Sequence, residues 1–223
     1  MENKFDYKMF QDMFPNHRYR YLDTTGNGRP PIQSRVEKYD KSYNETMGYD
    51  AYFTVNGFDI NDHTISGLTN LNAIYVDIDD RKDPNELEEI KKFLTPTLIV
   101  ETGRGYHIYW CFDEPIDIEK DNEESEKIKE RYTMLENNVV THLKGDKNAK
   151  DIARIMRLPG SYYWKKSENA YLEGVSKATH KTSIVYSNIA ATYTLDTLEE
   201  AFPKVHTQEE KKMIQQTGVF SQD

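Results

Sequence analysis

The chain has 223 residues, enough for a sizeable core in one large domain or two small ones. It carries 29 Lys and Arg against 38 Asp and Glu, and the net charge of −9 excludes a generally basic protein that coats nucleic acid by charge alone. A single cysteine excludes an internal disulfide framework and a cysteine-rich zinc site. No signal-peptide pattern and no stretch near the roughly 20 apolar residues of a membrane span is present, so we expect a cytoplasmic protein with no membrane partner.

Hydrophobic periodicity, helix caps and turn residues predict the elements in chain order. Helices are expected at 4–14, 84–94, 122–143 and 195–202, and strands at 50–55, 71–79, 97–101, 106–112 and 183–186. Residues 24–31 form a loop, and the two strands on either side of 102–105 form a hairpin. The segment 150–158 has a partly helical pattern that Pro159-Gly160 must stop. This order predicts an α+β domain with an antiparallel or mixed sheet.

The first polar cluster is Asp77-Ile78-Asp79, at the end of the predicted strand 71–79. Residues two apart on a strand share a face, so both carboxylates point away from the isoleucine and valine side chains that face the core. Two anions about 4 Å apart repel by roughly 4 kcal/mol at an effective dielectric of 20, and a divalent ion between them reverses that sign. Oxygen ligands suit Mg²⁺ or Mn²⁺. The alternative is a surface turn that begins at Asp79-Asp80.

The second cluster is TGRGYH at 102–107, which joins the two strands of the hairpin. Glycines let backbone N–H groups approach a phosphate, and Arg104 adds a cation. His107 and Tyr109 share one strand face, so His107 faces the same cleft as the aspartates if the other face packs inward. The alternative is an ordinary hairpin turn with an exposed arginine. The Walker A and dinucleotide-binding patterns are both absent.

The third cluster is DIARIMRLPGS at 151–161, followed by Lys165-Lys166. On a helical turn, Arg154 and Arg157 are neighbours and Asp151 lies one turn earlier. Asp151 and Arg154 then form either a simple ion pair, worth well under about 1 kcal/mol if exposed, or parts of a site. In the second interpretation Asp151 is a third metal carboxylate and the cations clamp a triphosphate.

Together the three clusters provide what a two-metal nucleotidyl transferase needs. Such a site activates an attacking hydroxyl, stabilises the leaving pyrophosphate and holds the incoming nucleotide with cations. No single cluster is specific for this chemistry, but their conjunction favours it.

The same segments resemble, in order and spacing, the three motifs of the archaeo-eukaryotic primase superfamily: YVDIDD at 75–80, ETGRGYHIYW at 101–110 and DIARIMRLPGSYYWK at 151–165. The likeness is to the primase-polymerase branch of phage, plasmid and CRISPR-associated replication proteins, and it spans about residues 50–190. It implies an RRM-like catalytic core, built on an antiparallel or mixed sheet, with a smaller N-terminal α/β accessory lobe. We expect a catalytic domain over 1–205, with 1–49 in the accessory lobe, and a polar tail or the start of a missing segment over 206–223.

The resemblance also implies the site. Asp77 and Asp79 match the metal-binding pair and Asp151 the third catalytic carboxylate, holding two Mg²⁺ or Mn²⁺ ions. His107 matches the histidine that contacts the phosphates of the incoming nucleotide. Thr102 stands where relatives often have serine. The remaining nucleotide-binding candidates, whose roles toward triphosphate or template stay open, are Gly103, Arg104, Gly105, Arg154, Arg157, Ser161 and Lys165, together with Thr102.

The implied activity is template-directed synthesis from ribo- or deoxynucleoside triphosphates on single-stranded DNA, with or without a primer. A helicase or other replication module would lie on a missing segment or another protein, since the chain has no ATPase motif. Candidate template contacts are His17, Arg18, Arg20, Arg29, Arg35, Lys38 and Lys165-Lys166. One alternative is a non-catalytic replication-initiation module that binds nucleic acid, which leaves the aspartates unexplained. The other is a metal-dependent nuclease, which has no need of the basic clamp.

Overall fold

The computed structural model describes residues 7–26, 28–32, 38–60, 62, 64–80, 83–164, 171–172, 175–176 and 180–205. The helices are α1 Tyr7–Met13, α2 Lys41–Glu45, α3 Pro84–Phe93, α4 Glu123–Leu143 and α5 Leu195–Ala201, with a 3₁₀ helix at Ile65–Gly67. The strands are β1 Tyr19–Leu22, β2 Asp50–Thr54, β3 Gly57–Phe58, β4 Leu68–Ile78, β5 Leu98–Glu101, β6 Tyr106–Asp117, β7 Ile155–Arg157, β8 Tyr162–Tyr163, β9 Tyr171–Leu172, β10 Val175–Ser176, β11 His180–Lys181, β12 Ser183–Ser187 and β13 Thr192–Tyr193. Among these residues no helix has both the length and the hydropathy of a bilayer-spanning segment.

Local signals explain most of these elements. The Asp83 side chain caps α3 by accepting a hydrogen bond from the Asn85 N–H (2.9 Å), and Pro84 occupies the first turn, where a missing N–H costs nothing. Asn122 caps α4 in the same way, and the acidic first turn of α4 is mostly solvent-exposed, as predicted. The predicted strands at 50–55, 71–79, 97–101, 106–112 and 183–186 are confirmed as β2, β4, β5, β6 and β12.

The helical prediction over 150–158 is wrong. The chain makes a turn at 152–153 and then forms β7, which pairs antiparallel with β2. Met156 points into the core from this strand, and pairing with β2 stabilises an extended conformation that the short apolar run left ambiguous. Arg154 therefore precedes a strand and does not share a helical turn with Arg157.

Two larger sheets and two two-stranded pairs, β8 with β11 and β9 with β10, make up the described strands. The main sheet has the order β12-β5-β6-β4-β3, with β13 pairing parallel to β6 and the other pairs antiparallel, so it is mixed. A smaller antiparallel sheet has the order β1-β2-β7. Strand β7 thus returns late in the chain to complete a sheet that begins in the N-terminal segment. This α+β arrangement agrees with the predicted fold class.

The main sheet is buried on both faces. Ile74, Val76 and Ile78 pack with residues of α3, α4 and α5 on one side. Tyr75 and Tyr109 pack on the other side with residues of α1 and the smaller sheet, including Met156. Cover on both faces explains why almost every residue of β4 is buried. The Asp77 face of β4 consequently points into the space between the two sheets.

Helix α4 and the loop after it close the edge of β4 beyond β3. The Tyr132 hydroxyl donates to the Ala73 carbonyl (2.9 Å), and the Tyr75 N–H donates to Glu136 Oε1 (3.0 Å). The Asp146 N–H donates to the Asp77 carbonyl (2.8 Å). These contacts satisfy backbone groups that would otherwise be buried without partners, and they fix the strand that carries the aspartates.

Candidate active site

Three aspartates meet at the end of β4. One carboxylate oxygen from each of Asp77, Asp79 and Asp146 lies within 4.8 Å of the others. Asp146 arrives there because α4 ends at Lys144 in the left-handed conformation and Gly145 passes close to β4. A Cβ on Gly145 would lie 2.3 Å from Val76 Cγ2, so only glycine allows this approach.

Asp151 lies outside this cluster. It is exposed, its Oδ1 accepts from the Ala153 N–H (3.1 Å), and its Oδ2 lies 3.8 Å from Arg154 Nη1. Its carbonyl accepts a hydrogen bond from the Tyr75 hydroxyl (2.8 Å). The structure thus brings together Asp77 and Asp79 as predicted, but the third carboxylate beside them is Asp146.

The donor set of the three aspartates fits a hard divalent cation. Asp77 Oδ1 is buried without a hydrogen-bond partner. Burial first, and the negative charge of Asp146 in addition, raise the pKa of Asp77 to about 6 against the opposing effect of Arg154. Burial and the Asp77 charge also raise the pKa of Asp79. All-oxygen donors with uncompensated charge are what Mg²⁺ and Mn²⁺ bind.

His107 faces the carboxylates from the neighbouring strand. The register of β4 and β6 sets it opposite Asp77, and its Nε2 lies 3.6 Å from Asp77 Oδ1. Burial first, and the positive charge of Arg157 next, lower the pKa of His107 to about 3. The imidazole is therefore neutral at neutral pH and can donate one hydrogen bond to an anion in the cleft.

The 102–105 turn is held by its own hydrogen bonds. Thr102 Oγ1 accepts from the N–H groups of Gly105 (3.0 Å) and Arg104 (3.3 Å). Two of the N–H groups expected to face a phosphate are thus used within the turn. A Cβ on Gly105 would lie 1.7 Å from the Ile78 carbonyl oxygen, which explains this glycine. Arg104 forms a bidentate pair with Asp80.

A polar cleft of about 170 Å³ lies between the main sheet and the smaller sheet. Its lining contains predicted site residues of all three clusters together with aromatic and apolar residues of β2, β7 and β8: Tyr52, Asp77, Asp79, Thr102, Arg104, His107, Arg154, Ile155, Met156, Arg157 and Tyr163. Ser161 does not line it, because this buried hydroxyl donates to the Leu158 carbonyl (2.6 Å). Lys165 lies outside the described residues.

Sequence reasoning missed two parts of this site. Asp146 follows a helix stop at Lys144-Gly145, and the signal would have been a carboxylate at the end of a helix that packs on the Asp77 strand. Arg157 lies over the ring of Tyr163 at 3.8 Å and that of Tyr52 at 5.0 Å. No local sequence pattern predicts these contacts, because they join residues of three separate strands, β2, β7 and β8.

The residues predicted to contact the template differ in burial and in their contacts. His17 and Arg18 are buried, 6% and 7% exposed, and so do not offer the solvent-facing contact expected of them. Arg29 pairs with Asp23 and lies over Tyr49. Arg20 is half-buried and Lys38 is exposed. Arg35 and Lys165-Lys166 fall outside the described residues.

No protein-family model and no curated protein matches the chain. Among solved structures, the AEP domain of the cyanophage S-2L primase-polymerase superposes with a TM-score of 0.66 at 16% identity, covering 89% of this chain and 99% of that one. The chain therefore shares the fold of that primase-polymerase domain. Primase RepB' matches with a TM-score of 0.56 at 14% identity, over 95% of this chain and 64% of that one. The catalytic domain of RepB' in complex with initiator DNA matches with a TM-score of 0.56 at 11% identity, over 96% of each. Within this fold, Asp77, Asp79 and His107 line one cleft, and the Asp146 carboxylate lies beside the two aspartates.

Proposed function

We propose that this chain is a primase-polymerase that joins nucleotides from nucleoside triphosphates on a single-stranded DNA template and can begin without a primer. The observation that carries the proposal is that two carboxylates, a neutral histidine and three arginines line one cleft of a primase fold, with the Asp146 carboxylate within 4.8 Å of the two aspartates. A primase named among the solved neighbours is bound to initiator DNA, which supports DNA as the template.

In this proposal Asp77, Asp79 and Asp146 hold two divalent ions, Mg²⁺ or Mn²⁺. Bound there, such ions would activate the attacking hydroxyl and stabilise the leaving pyrophosphate. The chain's own part is to supply rigid oxygen donors. Asp77 is fixed through its backbone carbonyl, which accepts a hydrogen bond from the Asp146 N–H (2.8 Å).

The nucleotide would lie against the basic side of the cleft. The neutral His107 imidazole donates to a phosphate oxygen without repelling the nearby arginines. Arg154 and Arg157 supply positive charge to the triphosphate. Asp151 then stabilises the turn that carries Arg154, through its contacts with Ala153 and Arg154. Thr102 shapes the hairpin and does not itself bind the nucleotide.

The test is synthesis from labelled nucleotides on unprimed single-stranded DNA with Mn²⁺, with a primed template in parallel. Wild type is expected to make product and Asp77→Asn/Asp79→Asn to make none. Asp113→Asn is the matched control, because Asp113 is an exposed carboxylate farther along the same strand as His107. Equal product from the double variant would overturn the metal assignment. Shortening of the labelled strand without extension would indicate a nuclease instead.

A further inference from the structure

Asp50 is a fully buried carboxylate behind the cleft. It is 0% exposed and receives hydrogen bonds from the Trp164 N–H (2.6 Å) and the Thr24 hydroxyl. Its Oδ2 lies 2.8 Å from Arg157 Nη1. These donors come from three separate chain segments: the loop after β1, the residue after β8, and β7. Of these donors Arg157 lines the cleft, and so does Tyr52, which is also hydrogen-bonded to Asp50.

The surroundings of Arg157 leave it little freedom. It stands on β7 directly opposite Tyr52 on β2, and its guanidinium lies 3.8 Å from the centre of the Tyr163 ring. Its side chain is 13% exposed. Of the groups that fix it, Asp50 contributes the only full charge described. The planar guanidinium carries five N–H donors, so it can bind Asp50 through one nitrogen and an oxyanion through another.

A buried ion pair is weak evidence of a purely stabilising role, since apolar residues of similar volume often stabilise a fold as well. The Asp50–Arg157 pair costs desolvation, yet it holds a cation at the wall of a cleft that Asp77 and Asp79 also line. An arginine placed there without a partner carboxylate could turn toward Asp77 or Asp79. The ion pair with Asp50 leaves the remaining N–H donors of Arg157 available to an anionic ligand.

We propose that Asp50 is a positioning residue that fixes Arg157 so that its guanidinium binds a phosphate of the incoming nucleoside triphosphate. This inference rests on the proposed function and adds a specific role for a residue outside the cleft. Asp50 acts through Arg157 and not on the nucleotide itself.

A double-mutant cycle separates this role from a structural one. Binding of dGTP in Ca²⁺ is measured by calorimetry for wild type, Asp50→Asn, Arg157→Gln and the double variant, with circular dichroism to confirm folding. Each single variant is expected to bind roughly ten- to a hundredfold more weakly, the effect of losing a charged hydrogen bond. The double variant is expected to bind no more weakly than Arg157→Gln alone, because Asp50 has nothing left to position. Additive losses would overturn the proposal.

Two further variants keep the test decisive if Asp50→Asn does not fold. Arg157→Lys keeps the positive charge and the ion pair but loses the planar set of guanidinium N–H donors. This variant is expected to bind dGTP at least about tenfold more weakly than the wild type. Affinity equal to wild type would contradict the proposal. Thr24→Val removes another donor to Asp50 and is expected to keep affinity within about twofold. If the wild-type protein binds no dGTP, both the proposed function and this inference fail. If the wild-type protein binds dGTP but the losses in the double variant are additive, only this inference is overturned.

Discussion

Asp146 and Asp151 compete for the role of third carboxylate, and their backbone contacts distinguish them. Asp146 is joined to Asp77 by a backbone hydrogen bond of 2.8 Å, so its side chain starts beside the acidic pair. Asp151 is joined to Tyr75 through its carbonyl, and its carboxylate faces Ala153 and Arg154. The sequence motif alone favoured Asp151, because no short pattern reveals where a long helix returns the chain.

Replacing the two aspartates in turn should therefore give unequal losses. Asp146→Asn is expected to lower the rate of Mn²⁺-dependent nucleotide incorporation by more than about a hundredfold, as removal of a metal ligand does. Asp151→Asn is expected to lower it by less than about tenfold, through a looser Arg154. Steady-state incorporation on a primed template measures both. A larger loss for Asp151→Asn than for Asp146→Asn would indicate that Asp151 is the third metal ligand.

The raised pKa of Asp77 predicts how stability depends on pH in metal-free buffer. Well below the unfolded value of 3.8 the carboxyl is protonated in both the folded and the unfolded chain and contributes nothing. Between the unfolded value of 3.8 and the folded value of about 6, the unfolded chain loses the proton first, so the fold loses stability as pH rises. The full cost above pH 6 is about 3 kcal/mol.

Asp77→Asn removes this cost and isolates it from the other titrating groups. The free energy of unfolding in urea with EDTA is expected to be similar for wild type and variant near pH 4. At pH 7.5 the variant is expected to be more stable by a few kcal/mol. A difference between the two proteins that does not change with pH would contradict the assigned pKa.

At the scale of elements, local signals predicted α1, α3, α4 and α5 and the longer strands but not α2, and long-range pairing decided the rest. The Asp83 cap and the alternation along β4 are visible in the sequence, and so is the shared face of Asp77 and His107. Strand β7 has three residues and exists because it pairs with β2, roughly a hundred residues earlier. Its Arg157 meets Asp50 only through that pairing. These parts of the site could not follow from local pattern.

The hairpin that carries His107 depends on one close approach. Gly105→Ala would force a Cβ to within 1.7 Å of the Ile78 carbonyl oxygen, so the backbone must shift. We expect it to destabilise the fold by at least about 2 kcal/mol, the usual cost of overpacking. Gly103→Ala is the matched control, since its Cβ would meet the Tyr163 ring at 3.2 Å and cost less. Thermal unfolding of both variants measures the difference, and equal midpoints would argue against this contact.

At the scale of the whole molecule, the arginines of the cleft lie apart from the acidic first turn of α4. The chain carries a net charge of −9, yet Arg104, Arg154 and Arg157 gather at the cleft while the acidic start of α4 is exposed elsewhere. Each of the three arginines is also paired with a carboxylate, Arg104 with Asp80, Arg154 with Asp151 and Arg157 with Asp50, so the local attraction for a template strand is weak.

Template binding should accordingly be weak and sensitive to salt. For about three phosphate contacts, affinity for a single-stranded oligonucleotide is expected to fall roughly tenfold or more between 50 and 200 mM salt. Fluorescence anisotropy across that range measures the slope. Tight binding that is unchanged over the same interval would contradict a template held by a few arginines.

The central claim is that one cleft binds both divalent ions and a nucleoside triphosphate. The most direct measurement is anomalous diffraction from crystals soaked with Mn²⁺ and a non-hydrolysable nucleoside triphosphate. The account predicts manganese between Asp77, Asp79 and Asp146, with the phosphates beside His107 and Arg157. Manganese at Asp151, or a nucleotide bound outside this cleft, would contradict it.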